Sequence, residues 1–331
     1  MKILFAIQGT GNGHLSRAKD VYPELSRHGQ TDVLISGIQT DVDFPFPVKY
    51  KLYGLSFIFG KKGGIDFFET FRKLKVFQLI SDIKKLPVLD YDLVISDFEP
   101  ISSWSCRLND KPCISLSHQC AVLNANVPKP SNKDFIGEFI LNNYAPATDK
   151  YGFHFHPWDD KIFTPIIRNE IRSVKPINKG HYTVYLPAYD DKQIIKHLSN
   201  FPNVAWHVFS KHNKVPFVCD NITVSKIENK AFIASLGTSA GLLCGAGFEG
   251  PAEALYLGKK LMVIPMKNQY EQHCNAMGAS AMGASAIGKL SQEFYEDIAL
   301  WIKNTPPANP LVDYPDITRE IVNTIIRNHI S

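Results

Sequence analysis

"AGFEGPAEALYLGKKLMVIPMKNQYEQHCNA", residues 246 to 276, runs from a strand end through a glycine turn, a helix, a strand, a polar turn and a second helix. Pro251 suits the first turn of the first helix and Gly258 its C-terminal cap, which sets a helix between them. "KLMVIP" (260–265) is then a short buried-type strand. Such a unit belongs to a doubly wound parallel sheet, whose ligand sits beyond the carboxyl ends of the strands. Free amides near Gly250 to Ala252 make a seat for a diphosphate. Glu253 lies about one turn further in, where a carboxylate accepts both hydroxyls of a ribose diol. Asn268, Gln269, Glu271 and Gln272 cluster at the start of the second helix, a set of donors and acceptors suited to sugar hydroxyls.

Upstream, "HYTVYLP" (181–187), the helix "DKQIIKHL", "VAWHVFS" (204–210) and "AGLLCGAG" (240–247) complete one alternating domain. The pair Asp190 and Asp191 opens that first helix and reads as its cap, and no DxD-like metal site is apparent. A first domain alternates in the same way through "KILFAI", "TDVLISG", "YDLVISD" (91–97) and "KPCISLSH" (111–118), with "PISSWSCRL" as a crossover helix. Between the two, residues 145 to 180 are rich in proline, aromatics and charge and show no clear period. The expected division is a first domain over 1–150, a linker over 151–178, a second domain over 179–312 and a closing helix over 313–331. Ile317, Ile321, Ile325 and Ile326 give that last helix its apolar face.

The opening loop, "GTGNGHLSRA" (9–18), also obeys strand, glycine turn, helix, so its amides face an anion. It is not a dinucleotide fingerprint, because His14 stands where GxGxxG needs glycine and "TDVLISG" ends without a ribose-binding acid. A nicotinamide dehydrogenase is therefore disfavoured. A helix N-terminus keeps His14 neutral, so it serves either as a general base or as a hydrogen-bonding member of the turn. Asp97 closes a strand and either orients His14 and an acceptor hydroxyl or caps the helix after it. His118 closes the next strand, with a packing role competing against a place in the cleft. His154, His156 and Trp158 fall in the linker and either line the cleft or pack a hinge.

The chain has 331 residues, 44% hydrophobic, enough for two cores. Its 36 basic and 32 acidic residues leave a net charge of +4, which is no nucleic-acid footprint. Six cysteines (106, 113, 120, 219, 244 and 274) form no CxxC pair, which argues against a zinc knuckle or disulfide framework and for a reducing cytoplasm. The opening apolar run is too short for a signal peptide or a membrane span, so any membrane contact is expected to be peripheral. Within residues 52–86, Phe67, Phe71, Leu74, Phe77, Ile80 and Ile83 form a helical stripe flanked by Arg72, Lys73, Lys75, Lys84 and Lys85. It reads either as a membrane-facing surface or as an ordinary core-facing helix.

The pairing of "GTGNGHLSRA" with "GFEGPAEALYLGKKLMVIPMKNQYEQHCNA" resembles the nucleotide-sugar glycosyltransferases of the GT-B fold, with two Rossmann-like domains facing across a cleft. It is most similar to the group around the peptidoglycan lipid-intermediate glucosaminyltransferase and the UDP-glycosyltransferases. Strings like "GxGHxSRA", "VISDFEP" and "NQYEQ" are shared with a bacterial and archaeal set of such enzymes.

The resemblance implies a hexosyl- or hexosaminyl-transferase, using a UDP-linked donor, no metal and no cofactor beyond that substrate. It also implies a glycan or lipid-linked acceptor, and a cytoplasmic site at the inner face of the membrane. Glu253 matches the ribose-binding glutamate, and Glu271 and Gln272 the residues that hold the donor sugar. Gly247, Glu249 and Gly250 fall on the diphosphate turn, where Gly250 replaces a frequent threonine. His14 matches the histidine of the N-terminal glycine loop, with Gly11, Gly13, Arg17 and His118 on the acceptor or cleft side. A nucleotide-sugar hydrolase or epimerase and a non-catalytic nucleotide-sugar-binding protein remain alternatives.

Overall fold

A computed structural model describes residues 1–10, 12–39, 44–54, 75–132, 134–304 and 312–330. The first sheet contains β1 (Lys2–Thr10), β2 (Gln30–Gln39), β3 (Tyr50–Leu52), β4 (Leu93–Asp97), β5 (Ile114–Ser117), β6 (Asp149–Phe153) and β7 (Ile162–Phe163). Their order is β3-β2-β1-β4-β5-β6-β7, with every neighbouring pair parallel. Central strands read as continuous apolar runs because helices cover both faces: Ile3, Leu4, Phe5, Ala6 and Ile7 are all buried.

The second sheet contains β8 (Tyr182–Tyr185), β9 (Trp206–Ser210), β10 (Phe217–Cys219), β11 (Ile222–Lys226), β12 (Gly241–Gly245), β13 (Lys260–Ile264) and β14 (Ser285–Ala286). Its order is β10-β11-β9-β8-β12-β13-β14, parallel except for the β10–β11 hairpin. The strand order reverses between β1 and β4 in the first sheet and between β8 and β12 in the second. Ligand crevices of open α/β sheets form at such reversals.

The helices that position the site are α1 (Asn12–Ser26), α2 (Val76–Lys85), α3 (Pro100–Leu108), α4 (Phe135–Tyr144), α5 (Glu249–Tyr256), α6 (Tyr270–Ala281) and α7 (Thr318–His329). Helix α5 starts at Glu249, two residues before the expected Pro251, and ends at Tyr256 with Leu257 as its cap; Gly258 just beyond has a φ of 64°, the left-handed conformation that commonly follows a helix end. The expected cap of the 191–198 helix is made by Asp190, whose carboxylate accepts from the Gln193 N–H at 2.8 Å.

Residues 151–153 and 162–163, expected in the linker, are strands of the first sheet. Tyr151, Phe153 and Phe155 alternate inward with 2%, 0% and 1% exposure, and β7 pairs beside them. The closing helix α7 packs on the first domain, where Ile321, Val322 and Ile325 join the apolar cluster of Val21 and Leu25. Tyr151 accepts at its hydroxyl from Asn328 Nδ2 (3.0 Å), and His28 Nε2 meets Asn323 Oδ1 (3.0 Å). Of the lysine-flanked stripe, Phe67, Phe71, Leu74, Arg72 and Lys73 lie outside the described residues. Helix α2 carries the rest, with Phe77 91% exposed, while Leu79 and Ile83 pack on the core of Leu86, Val88 and Ile101. No helix among the described residues is long and apolar enough to cross a membrane.

Candidate active site

The first turn of α1, entered directly from β1, carries His14 and, three residues on, Arg17 on the same face. Across the strand reversal, β4 ends in Asp97. His14 Nδ1 lies 2.8 Å from Asp97 Oδ1, which assigns the ring proton to Nδ1 and leaves Nε2 as an acceptor. Arg17 sends one guanidinium nitrogen to both Asp97 oxygens at 2.8 Å each, and its other terminal nitrogen pairs with Glu249 of the second domain. Burial alone would raise the Asp97 pKa, yet Arg17 and His14 hold it below the usual carboxylate range.

Asp97 has these partners because it is not the helix cap. Glu99 caps α3 instead, accepting from Ile101 N–H (2.8 Å) and Ser102 N–H (2.6 Å), with Pro100 opening the helix. Phe98 between them takes a φ of 56°, so the chain reverses within one residue, and its ring stacks on Tyr144 at 4.7 Å.

In front of His14 opens a cavity of about 330 Å³. Its first-domain wall is Phe98 with Ile140, Leu141 and Tyr144 of α4, and its second-domain wall is Asn268, Gln269, Tyr270 and Glu271. Gln119 spans the gap, with Nε2 3.2 Å from Glu271 Oε1 and 3.4 Å from His14 Nε2. The Oε1 atoms of Gln119 and Gln269, two residues that line the cavity, are buried without a hydrogen-bond partner among the described residues. Asn268 is exposed with a φ of 61°. Gln272 is buried and accepts from Met266 N–H at 2.9 Å, so it shapes the polar turn from behind.

At α5 a Cβ built on Gly247 or Gly250 would meet nothing within 4 Å, so the ground before this helix is open. The expected amide seat is smaller than Gly250 to Ala252: Pro251 has no N–H and that of Ala252 bonds to Phe248 O, which leaves, among the described residues, the Gly250 N–H of that seat and the Glu249 N–H before it. Glu253 is 3% exposed and gripped by Arg168 through Nε (2.6 Å) and Nη2 (3.0 Å). Each carboxylate oxygen keeps a further lone pair beyond that fork. Arg168 escaped the sequence reading because it lies in the aperiodic 145–180 stretch, and Gln119 because an amide after a strand end has no motif of its own.

Gly11 lies outside the described residues. Gly13 packs against Glu249, where an added Cβ would sit 2.9 Å from Cγ. His118 does not face the open cavity. It is 1% exposed, stacks on Phe248 at 3.9 Å, and sets Nδ1 2.7 Å from Phe153 O and Nε2 2.6 Å from Asn275 Oδ1, the single N–H of the neutral ring serving one of the two, so that it packs at the junction of the domains. His154 is buried beside it, accepting from Trp158 Nε1–H at 3.3 Å, and His156 is exposed, so this group packs the junction. Burial holds both His118 and His154 below the ordinary histidine range.

Two Rossmann-like domains, each built on a largely parallel sheet and meeting across a cleft, give the GT-B fold. The chain belongs to glycosyl transferase family 1, whose profile matches residues 1–306. No curated protein matches it. Among solved structures it is similar to MurG of Acinetobacter baumannii, with 15% identity, TM-score 0.54 and coverage of 98% of this chain and 99% of that one. A UDP-glucosyltransferase from Polygonum tinctorium gives 10%, 0.61, 100% and 98%. The MnaA–UDP structure from S. aureus gives 12%, 0.59, 99% and 96%. At these identities the likeness is one of fold.

Proposed function

We propose that this glycosyltransferase moves a hexosyl or hexosaminyl group from a UDP-linked donor, held by the second domain, to an acceptor hydroxyl in the cavity beside His14. The observation that carries the reading is the His14–Asp97 pair at 2.8 Å, with His14 lining a cavity shared by both domains. His14 Nε2 takes the proton of the acceptor hydroxyl as its oxygen bonds to the sugar's anomeric carbon. The bond from that carbon to the diphosphate breaks, and Asp97 stabilises the imidazolium. The charge left on the departing diphosphate falls to the Glu249 and Gly250 amides, with no metal required. Glu253, fixed by Arg168, offers its remaining lone pairs to the ribose. UDP as the nucleotide is supported by its presence in the similar MnaA and LpCGTa structures.

The apolar wall of the cavity supports a lipid-linked acceptor. Ile140 and Leu141 face inward from α4, while Phe135, Ile136 and Phe139 on the same helix are 71%, 73% and 68% exposed. A lipid chain leaving the cavity over α4 would meet these side chains, which supports our reading of an enzyme working against a membrane surface, at the cytoplasmic face and on a cell-envelope glycan.

The test is a calorimetric titration of UDP, with ADP, GDP and TDP as controls, into the wild type and Glu253→Ala. Selective UDP binding lost in the variant is the expected result. Folded protein that binds no nucleotide would overturn the donor assignment, and free sugar released without acceptor would shift the reading to a hydrolase. Sedimentation with anionic phospholipid vesicles tests the membrane contact. Phe135→Ser/Phe139→Ser is expected to remain in the supernatant while keeping its UDP affinity.

A further inference from the structure

Arg17 is 3% exposed, yet it is divided between two carboxylates of different standing. Asp97 belongs to the same domain and takes one guanidinium nitrogen on both oxygens. Glu249 comes from the other domain, is bound at one oxygen only, and has a side chain 20% exposed. The charged groups facing Glu249 are Arg17 and His14 from α1, Asp97 from β4, Glu253 from its own helix, and Arg168 more distantly. One guanidinium therefore serves an excess of negative charge. Glu249 is the weaker partner, because burial pushes its pKa up to about 7, offset only in part by Arg17.

The position of Glu249 is unusual for a carboxylate in an anion site. It is the first residue of α5, beside the two unspent amides and the open ground at Gly247 and Gly250. An anion bound at that helix end approaches both the Glu249 carboxylate and the Arg17 guanidinium that the carboxylate occupies. We propose that Glu249 is a stand-in for the donor's diphosphate: it holds Arg17 while the site is empty, and the arriving diphosphate takes Arg17 from it. The inference rests on the donor reading above, which puts the diphosphate at the start of α5.

The exchange is favourable because a diphosphate carries more charge and more acceptor oxygens than a carboxylate, and the terminal nitrogen that Glu249 gives up donates a charge-assisted hydrogen bond to it while the other stays on Asp97. Of the two carboxylates on Arg17, Glu249 is the one that borders solvent, its side chain 20% exposed against 2% for Asp97. After transfer the same carboxylate competes with the departing nucleoside diphosphate for Arg17 and assists its release. Glu249 thus opposes donor binding, in contrast to the donor-contacting role expected of it from its place in the turn.

The experiment is UDP binding at pH 8 to the wild type, Glu249→Gln, Glu249→Ala and Arg17→Gln/Glu249→Gln, with thermal midpoints recorded first to establish folding. The expected result is UDP binding at least ~10-fold tighter in both single variants, the gain disappearing when Arg17 is also replaced. Wild type that binds UDP, alongside a folded single variant with unchanged or weaker affinity, overturns this inference and leaves the donor reading standing. Failure of every folded protein in the set to bind any nucleoside diphosphate overturns both.

Discussion

In the proposed mechanism the chemistry depends on His14 and Asp97, and both were legible in the sequence: each lies at or just beyond the carboxyl end of an apolar strand, where α/β sites form. What the sequence left open was the choice between pairing and capping. His14→Ala is expected to lower kcat by about 10²- to 10⁴-fold with UDP affinity unchanged, read from turnover and calorimetry together. Full turnover in that variant would remove the base assignment. The carboxylates also set a pH dependence with opposite signs. Asp97 has a depressed folded pKa, so its stabilisation is present at neutral pH and is lost as pH falls through that value. Glu249 has a raised one, so the stability it contributes at low pH is lost as pH rises from its ordinary 4.5 through about 7. Thermal midpoints between pH 5 and 8 are therefore expected to fall less in Glu249→Gln than in the wild type, by a few degrees. Identical slopes would show that Glu249 does not titrate in that window.

At the level of the element, the Asp97–Phe98–Glu99 turn decides what Asp97 can do. Pro100 at the first position of α3 makes the residue before it the cap, a rule that the sequence satisfied, yet glutamate is outside the usual capping set and was passed over. Its longer side chain folds back to two amides and also accepts from Ser36 Oγ at 2.6 Å, all in the interior. Glu99→Ala is expected to cost about 1–3 kcal/mol in urea unfolding, through the lost cap and the orphaned Ser36 hydroxyl. A loss within ~0.5 kcal/mol would mean that water replaces the cap. The second-domain unit was legible almost completely, because its glycines, prolines and apolar runs each carry a local signal. Strands β6 and β7 were less so. Their alternation is short and lies amid proline and charge, and their pairing is a tertiary fact.

The whole molecule is held by contacts that no local pattern announces. The stripe of Ile321 and Ile325 showed that α7 must pack, but a stripe does not say against what. It closes the first domain, on α1 and Tyr151, although it follows the second in the chain. Truncation after Asp316 is expected to expose the first domain to limited proteolysis and lower its midpoint, while the second keeps its own. Loss confined to the second domain would contradict the packing. The domain junction was equally hidden. His118, Phe248 and Asn275 lie far apart in sequence, and their stack and hydrogen bonds follow only from the two sheets meeting.

The return of α7 means that the polypeptide passes between the domains twice, once after β7 and again before α7. Tyr314 on the second passage donates its hydroxyl to Phe155 O on the approach to the first, at 2.9 Å. Two connections side by side resist a twist of one domain against the other more than a single one does. The junction also survives a cut: a chain nicked near residue 178 would still be one molecule in every sense except the covalent, its carboxyl-terminal fragment anchored in the domain from which it had been severed.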